Sequence, residues 1–209
     1  MKQELIVATK NKKKLEEIKE ILKDLDLKIL SLADYPKVPR IIENGSTFRE
    51  NAVKKAVKIA SFTRKLTLGE DSGICVDALS GEPGVYSSRF SGKPACRTGR
   101  CKNDLKNNLK LLEFLRDSPL KKRKAHYFCS VALADKDGLI SVREGKCFGF
   151  IGRELKGHFG FGYDPLFIIP KYKKTFGELP AHIKHKMSHR FLALKKIKIP
   201  LATYLKRNP

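Results

Sequence analysis

The sequence lacks the runs and pairs of residues that mark several classes of protein. No hydrophobic run approaches the roughly 18 residues that a membrane-spanning helix needs. The apolar run that begins at Leu5 is too short for the core of a signal peptide. The five cysteines include no CxxC pair, which argues against a disulfide framework and against a zinc site. We therefore expect a cytoplasmic protein with no membrane partner.

Positive charge, in contrast, is abundant. Lysine and arginine total 44 against 22 acidic residues, which gives a formal charge of +22. Such an excess attracts nucleic acid, acidic membrane or nucleotide phosphates, but lysines scattered over solvated surfaces would give the same composition. No RNP, zinc-finger or helix-turn-helix signature accompanies the charge, so no specific nucleic-acid partner is expected. Cys96 and Cys101, in the basic segment PACRTGRC, are close enough for a metal loop but lack a second pair of ligands.

The hydrophobic pattern predicts strands alternating with helices in the first third of the chain. The 209 residues suit one large domain or two small lobes. Short apolar runs predict strands at residues 4–8, 28–32 and 66–68. Helical spacing begins at Lys12 and again at Phe48, after the turn-like ENGST. The glycine-rich stretch that follows, GEDSGICVDALSGEPGVYSSRFSG, predicts a structured loop.

The rest of the chain completes a mixed α/β pattern. Residues 102–116 have helical spacing, and residues 125–134 and 139–148 flank Lys136-Asp137-Gly138, a typical hairpin turn. Another helix is predicted to begin near Ser188, which is a suitable N-cap. Helices that alternate with strands, followed by a hairpin, favour an α/β fold in which helices cover the faces of a mixed sheet.

A first candidate site lies where the first strand meets the first helix, in TKNKKK. Free backbone N–H groups and the positive end of the helix dipole attract anions there. Thr9, Asn11 and Lys14 would add a hydroxyl, an amide and an ammonium group for a polyphosphate, although the glycine-rich P-loop pattern is absent. The alternative is a capped and solvated first turn.

A second candidate site is Glu70-Asp71-Ser72-Gly73, which follows a short apolar run. Carboxylates at the end of a strand can hold Mg²⁺, which takes one or two protein carboxylates together with substrate phosphates and water. Paired acids in a loop can also be simple turn formers or caps.

A third candidate is GFGYDPLF, residues 160–167. Phe161 or Tyr163 could offer a flat apolar face to a base, and Asp164 could accept hydrogen bonds from a sugar or base. The alternative is a buried turn in which both rings belong to the core and Asp164 caps the turn.

A fourth candidate is the group formed by Lys184, His189 and Arg190. His189 and Arg190 fall on the first turn of the helix predicted near Ser188, where they could direct donors at a carbonyl or a phosphate. The alternative is an ordinary surface pair. Together the four candidates suit one ligand, with a metal-bound phosphate chain at one end and a flat base at the other.

The order of these motifs resembles the inosine triphosphate pyrophosphatase family, whose members hydrolyse deaminated purine nucleoside triphosphates to the monophosphate and pyrophosphate. The resemblance extends from Thr9 to Leu194. The motifs on which the resemblance rests are TKNKKK, ENGSTFRENA, EDSGICVDALSGEPGVYSSRFSG, FGYDPLF, TFGEL and KHKMSHR. It implies a single domain over residues 1–209, built on a long mixed sheet with two lobes and an active-site cleft between them. It also implies a homodimer and Mg²⁺ as cofactor.

The resemblance also implies a role for individual residues. Asp71 would hold the metal and activate the attacking water, and Glu43 is the candidate for a second metal ligand. Many members carry adjacent acids at the start of the E-x-G-x-T-F block, whereas this chain has Ile42 and Glu43. The first acid of the usual ADDSG motif is Glu70 here. The implied substrate-binding residues are Thr9, Asn11, Lys14, Ser72, Phe161, Gly162, Tyr163, Asp164, Lys184, His189 and Arg190.

Two other functions remain open on the sequence. A pyrophosphatase of related fold could act on modified pyrimidine triphosphates, and comparing pyrophosphate release from ITP and from methylated UTP would separate the two enzymes. A basic nucleic-acid-binding module would instead show salt-sensitive DNA binding without nucleotide turnover.

Overall fold

A computed structural model describes residues 2–92 and 103–208 of the chain. Cys96 and Cys101, considered above as a metal loop, lie outside these residues. The regular elements of the described part are β1 (Gln3–Val7), α1 (Lys12–Ile21), β2 (Leu27–Ser31), α2 (Phe48–Thr63), β3 (Thr67–Val76), α3 (Asp104–Phe114), β4 (Lys124–Asp135), β5 (Gly138–Ile151), β6 (Phe167–Ile169), β7 (Lys174–Thr175), α4 (Ala181–Met187) and α5 (His189–Arg207). Short 3₁₀ helices connect several of them.

The strands form one mixed sheet in the order β2-β1-β3-β4-β5-β6-β7. β1 pairs in parallel with both β2 and β3, as expected when α1 and α2 provide the crossover connections. β6 pairs antiparallel with β5 and with β7. The predicted α/β fold with a mixed sheet and flanking helices is therefore confirmed.

The chain divides into two compact units. The first comprises Met1–Ser72, Cys129–Lys146 and Ser188–Pro209, and the second comprises Gly73–Phe128 and Cys147–Met187. Strands β3, β4 and β5 contribute residues to both units because the boundaries fall inside them.

The core of the first unit follows the alternation of side chains along β4. Val131 and Leu133 pack in a cluster with apolar residues of α1 and α5. Ala132 and Ala134 belong to a second cluster, with the alanines of α2. Because successive strand residues point to opposite faces of a sheet, α2 covers one face and α1 with α5 the other. The alanine-rich face allows α2 to lie close to the strands.

The core of the second unit is built from longer side chains. Ile74 and Val76 of β3 pack with Leu111 of α3 and with the aromatic residues Phe167 and Phe176. Rings of Phe167 and Phe176 stack with their centroids 5.5 Å apart.

Most predicted elements are confirmed, including the hairpin formed by β4 and β5 around Lys136–Gly138. The prediction of a loop for the glycine-rich stretch was wrong in its first part. Residues 69–76 continue β3, and the two acids Glu70 and Asp71 lie inside this strand. The helix at residues 102–116 exists as α3, but Leu105 and Leu109 are exposed and Asn107 and Asn108 are buried. No helix in the described ranges has both the length and the hydropathy needed to span a membrane.

Candidate active site

The turn between β1 and α1 is held by its own side chains. Asn11 is the N-cap of α1, and its Oδ1 accepts the N–H groups of Lys13 and Lys14 at 3.0 and 3.3 Å. Thr9 Oγ1 accepts the N–H of Asn11 at 3.1 Å. No acidic residue lies in the first turn of α1, so the helix dipole and the exposed lysines present positive charge together. The turn is suited to an anionic ligand.

Glu70 and Asp71 occupy opposite faces of β3. Side chains alternate along a strand, so Glu70 and Ser72 share one face and Gly69 and Asp71 share the other. Their hydrogen-bond partners agree with this alternation. Arg190 donates to both Glu70 and Ser72, whereas Asp71 receives its hydrogen bonds from residues of α2.

Glu70 is the centre of a buried chain of alternating charges. Lys14 Nζ contacts its Oε2 at 2.7 Å, and Arg190 Nη2 contacts its Oε1 at 3.0 Å. Arg190 also forms an ion pair with Glu17 through Nη1 and donates to Ser72 Oγ at 3.0 Å. Burial alone would raise the pKa of Glu70, but Lys14 and Arg190 outweigh it and hold that pKa well below its usual value. Glu70 is therefore a fixed anion.

Asp71 faces a second cluster, which contains Lys55. Lys55 Nζ donates to Asp71 Oδ1 at 2.9 Å and to the backbone oxygen of Glu70 at 3.1 Å, and it pairs with Glu43 Oε2 at 2.8 Å. Asn51 Nδ2 donates to Asp71 Oδ2 at 3.2 Å, while its Oδ1 accepts the N–H of Gly45 at 2.8 Å. Both oxygens of Asp71 therefore have a partner on α2.

The position of α2 depends on Gly69. A Cβ atom at residue 69 would lie 2.2 Å from the backbone oxygen of Ala52 and 2.6 Å from the backbone nitrogen of Ala56. Only glycine permits so close an approach of helix and strand. Asn51 and Lys55 lie on the same buried face of α2 as these alanines, so the contact at Gly69 brings them to Asp71, two residues along β3.

Burial affects the two adjacent acids differently. It raises the pKa of Asp71, and the opposing effects of Lys55 and Lys14 do not cancel that rise. Burial disfavours the ammonium form of Lys55, but Asp71 and Glu43 raise its pKa nonetheless. Asp71 is consequently the better proton acceptor of the two acids.

The second unit holds a cluster around Asp164 in the GFGYDPLF turn. Asp164 is buried; its Oδ2 accepts the N–H of Phe161 at 2.8 Å and pairs with Lys184 Nζ at 2.6 Å. Tyr127 donates its hydroxyl to Asp164 Oδ1 at 3.2 Å. Gly160 has a φ of +75°, and a Cβ there would lie 2.0 Å from Asp164 Oδ2. The turn therefore requires glycine at this position.

Phe161 and Tyr163, two of the three aromatic residues of GFGYDPLF, differ in exposure. Tyr163 belongs to the core, and its hydroxyl donates to the backbone oxygen of Ser87 at 2.8 Å. Phe161 is only partly buried, and Lys184 Nζ lies 4.7 Å from the centroid of its ring. The first two turns of α3 hold Gly162 on both sides, because Asp104 accepts its N–H and Asn108 donates to its carbonyl oxygen, each at 2.9 Å. Phe161 is therefore the more exposed of these two rings.

Comparison with known proteins assigns the family. The profile of the Ham1 family matches residues 5–199. The chain belongs to the Ham1 family. The resemblance noted from the sequence motifs is thereby confirmed.

Relatives in the Ham1 family are similar over almost the whole chain. A dITP/XTP pyrophosphatase from Desulforamulus reducens is 48% identical over 192 residues, which cover 92% of each chain. One from Shouchella clausii is 46% identical over 195 residues, covering 93% of this chain and 94% of the other. The solved structure of a HAM1 protein from Coxiella burnetii has a TM-score of 0.84 at 37% identity and covers 96% of this chain and 99% of that chain.

The sequence-predicted residues of this Ham1 chain fall into two groups. The first unit contains Thr9, Asn11, Lys14, Glu43, Asp71, Ser72, His189 and Arg190. The second contains Phe161, Gly162, Tyr163, Asp164 and Lys184. Within the first unit the structure joins Lys14, Ser72 and Arg190 through Glu70, and Glu43 and Asp71 through Lys55. In the second unit Lys184 and Phe161 meet at Asp164.

Sequence reasoning missed several residues of these clusters. Asn51 and Lys55 of α2, Glu17 of α1 and Tyr127 of β4 each contact a predicted residue directly. The sequence did contain a signal for Asn51 and Lys55, because both fall on the face of α2 where the helical spacing predicts apolar residues. A polar residue on the buried face of a helix indicates a buried partner.

The donor set around Asp71 is suitable for a hard divalent cation. Glu43 and Asp71 each place a carboxylate oxygen within 3 Å of one point, the ammonium nitrogen of Lys55. Within residues 2–92 and 103–208, no group of three or more His, Cys, Asp or Glu side chains is arranged to hold a metal. Two carboxylates suit Mg²⁺, which usually keeps water and substrate phosphates as its other ligands. The residues present therefore fit the cation that the family resemblance implies.

Proposed function

We propose that this Ham1 protein hydrolyses deaminated purine nucleoside triphosphates, namely ITP, dITP and XTP, to the nucleoside monophosphate and pyrophosphate. This activity would remove damaged nucleotides from the pool. Relatives 46–48% identical over more than nine-tenths of the chain are dITP/XTP pyrophosphatases. The single structural observation that supports the proposal most is the Asp71 cluster, in which the carboxylates of Glu43 and Asp71 converge on one point, occupied by the ammonium group of Lys55.

The first unit is assigned to the triphosphate. Thr9, Asn11 and Lys14 provide donors and positive charge at the N-terminus of α1. Asp71 and Glu43 would hold Mg²⁺, which when bound polarises the phosphate oxygens and offsets the charge of the transition state. Ser72 lies on the Glu70 face of β3, where Arg190 fixes its hydroxyl.

The reaction requires a water molecule in line with the α-phosphorus. The water oxygen forms a bond to phosphorus, the bond from phosphorus to the pyrophosphate oxygen breaks, and the water gives up a proton. Asp71 is assigned as the acceptor for that proton, because it faces the Lys55 cluster, whereas Glu70 is held between Lys14 and Arg190. Lys14 and the neighbouring lysines offset the charge that develops on the leaving pyrophosphate.

The second unit is assigned to the nucleoside. Phe161 offers a partly exposed ring for stacking on the base, and Gly162, Tyr163 and Asp164 hold the turn that carries it. Lys184 supplies a donor for the 6-keto oxygen of hypoxanthine or xanthine. His189 and Arg190, which the family resemblance assigns to the base, belong instead to the first unit, where both are buried in the first turn of α5.

Discrimination against adenine follows from this assignment. Its 6-amino group is itself a donor and leaves the donors of the site unpaired, which can reject ATP by up to about 10⁴-fold. Guanine keeps the 6-keto group, so this contact alone does not exclude GTP.

A substrate panel tests the proposed function. Purified protein with Mg²⁺ is given ITP, XTP, dITP, GTP, ATP and methylated UTP, and phosphate and pyrophosphate are measured separately. We expect pyrophosphate as the product, with ITP, dITP and XTP preferred. Asp71→Asn should remain folded by circular dichroism and lose turnover by about 10²-fold or more. Preference for the pyrimidine nucleotide, release of single phosphates, or near-full turnover by Asp71→Asn would contradict the proposal.

The homodimer implied by the family resemblance and the cytoplasmic location expected from the sequence belong to the same proposal. Sedimentation equilibrium of the purified protein at several concentrations tests the first, and fractionation of the source cells tests the second.

A further inference from the structure

Lys55 is enclosed by three oxygen atoms. Two belong to the carboxylates of Glu43 and Asp71, at 2.8 and 2.9 Å, and the third is the backbone oxygen of Glu70, at 3.1 Å. An ammonium group has three N–H donors and no acceptor, so each donor has one partner here. The lysine is only 6% exposed. It therefore acts as an internal cation of the protein.

The position of this cation coincides with the proposed metal site. Glu43 and Asp71 are the two carboxylates assigned to Mg²⁺ above, and both point at the same nitrogen atom. A divalent cation placed between them would lie within a few ångströms of the Lys55 ammonium. Like charges so close repel, and water screens this repulsion least beside Asp71, whose side chain is 9% exposed, compared with 41% for Glu43. The ammonium and the divalent cation therefore compete for the same carboxylates.

Lys55 is not free to leave this position easily. Its helix is fixed against β3 by the close contact at Gly69, and Asn51, one turn earlier, is hydrogen-bonded to the other oxygen of Asp71. Withdrawing the ammonium would also leave Asp71 buried without a compensating charge, which is costly. The competing cation is thus held in place by the fold.

We propose that Lys55 excludes free divalent cations from Asp71 and Glu43, so that the metal is taken up with the phosphates of the nucleotide. This inference rests on the proposed function, because the metal is the one that the reaction requires. The triphosphate brings negative charge, which can accommodate both the ammonium and the divalent cation in one site. A free metal ion brings no such charge. Its apparent affinity is its intrinsic affinity multiplied by the small fraction of molecules in which the carboxylates are not occupied by Lys55.

Binding of Mn²⁺ without nucleotide tests the proposal directly. Free Mn²⁺ is titrated by electron paramagnetic resonance against the wild-type protein, Lys55→Gln and Lys58→Gln. Lys58 is the matched control: it lies on the same helix, is exposed, and donates to the backbone oxygen of Arg40, so its loss changes the net charge equally. We expect Lys55→Gln to bind Mn²⁺ about tenfold or more tightly than the other two.

A double variant tests whether the additional Mn²⁺ affinity of Lys55→Gln comes from Asp71. Lys55→Gln combined with Asp71→Asn should lose the added affinity for Mn²⁺. Thermal unfolding provides a second measurement: millimolar Mg²⁺ should raise the Tm of Lys55→Gln, because the cation relieves the repulsion between two uncompensated carboxylates, and should leave the Tm of the wild type unchanged.

Two results would overturn the proposal. One is equal Mn²⁺ affinity in the wild type and Lys55→Gln. The other, which does not depend on Lys55→Gln, is micromolar Mn²⁺ binding by the wild-type protein that disappears in folded Asp71→Asn. Either result together with normal ITP turnover refutes the role of Lys55 alone, whereas absence of ITP turnover in the wild type refutes the proposed function.

Discussion

Replacing Glu70 with glutamine should destabilise the protein strongly. The carboxylate is buried between Lys14 and Arg190, and Arg190 is shared with Glu17. Glu70→Gln keeps the shape of the side chain and removes its charge. Lys14 loses the carboxylate with which it pairs, and Arg190 keeps its pair with Glu17 but loses the one with Glu70. The variant therefore contains more buried positive charge than the network can compensate.

The expected loss can be estimated from the burial of the pair. Removing one partner of a buried ion pair typically costs about 3–5 kcal/mol. For a chain of this size, each kcal/mol corresponds to roughly 2–4 °C in Tm, so the shift should be about 6–20 °C. Such a loss is a large part of the roughly 5–15 kcal/mol by which a typical domain is stable.

Thermal unfolding followed by circular dichroism, without nucleotide, measures the effect. Glu20→Gln is the control, because Glu20 pairs with Lys23 at 2.7 Å on the exposed side of α1 and the change of charge is the same. Its Tm should stay close to that of the wild type. Added salt should not remove the difference between the two variants, since buried pairs are screened weakly. A drop of less than about 2 °C for Glu70→Gln would refute the argument.

Three further changes test other contacts. Gly69→Ala forces α2 away from β3, because the new Cβ would lie 2.6 Å from the Ala56 nitrogen; we expect a loss of about 1–3 kcal/mol in urea unfolding, together with reduced turnover. Gly160→Ala meets a φ of +75° and a contact of 2.0 Å with Asp164, so the midpoint of urea unfolding should fall by the equivalent of about 1–2 kcal/mol or more. Lys184→Ala should raise KM for ITP more than it lowers kcat, and it should also lower Tm because Asp164 remains buried without its cation. An unchanged KM for Lys184→Ala would contradict its assignment to the nucleoside.

The regular elements could be predicted because their signals are local. Apolar spacing and capping residues such as Asn11 and Ser188 define helix starts at Lys12 and His189, where the structure has them. The hairpin turn at Lys136–Gly138 is equally local. These signals depend on the chain within a few residues, so tertiary contacts did not override them.

The strand containing Glu70 and Asp71 could not be predicted in the same way. Two acids and two glycines within five residues are typical of a turn, because charged groups are seldom buried and glycine weakens strands. Both acids are buried here because cations from distant segments reach them: Lys14 from α1 and Lys55 from α2. Pairing across 56 and 16 residues of sequence leaves no local signal.

The face of α3 was equally hidden from sequence reasoning. The leucine spacing through Leu105 and Leu109 favours burial of these residues, whereas the structure exposes them and buries Asn107 and Asn108. Both asparagines form hydrogen bonds to loops. Asn107 donates to the backbone oxygen of Ser87, and Asn108 donates to that of Gly162. Hydrogen bonds to loops thus decided which face of the helix packs inward.

The alternation of Glu70 and Asp71 along β3 also limits how this strand can change during evolution. Inserting or deleting one residue before Glu70 would exchange the two surfaces. A deletion would turn Asp71 toward Lys14 and Arg190 and would place Glu70 at the position of Gly69, where a Cβ atom lies 2.2 Å from the backbone oxygen of Ala52. Asp71 would lose its contacts with Lys55 and Asn51, and α2 could not keep its position against β3. Surrounding loops can vary in length, but the count of residues within this strand cannot.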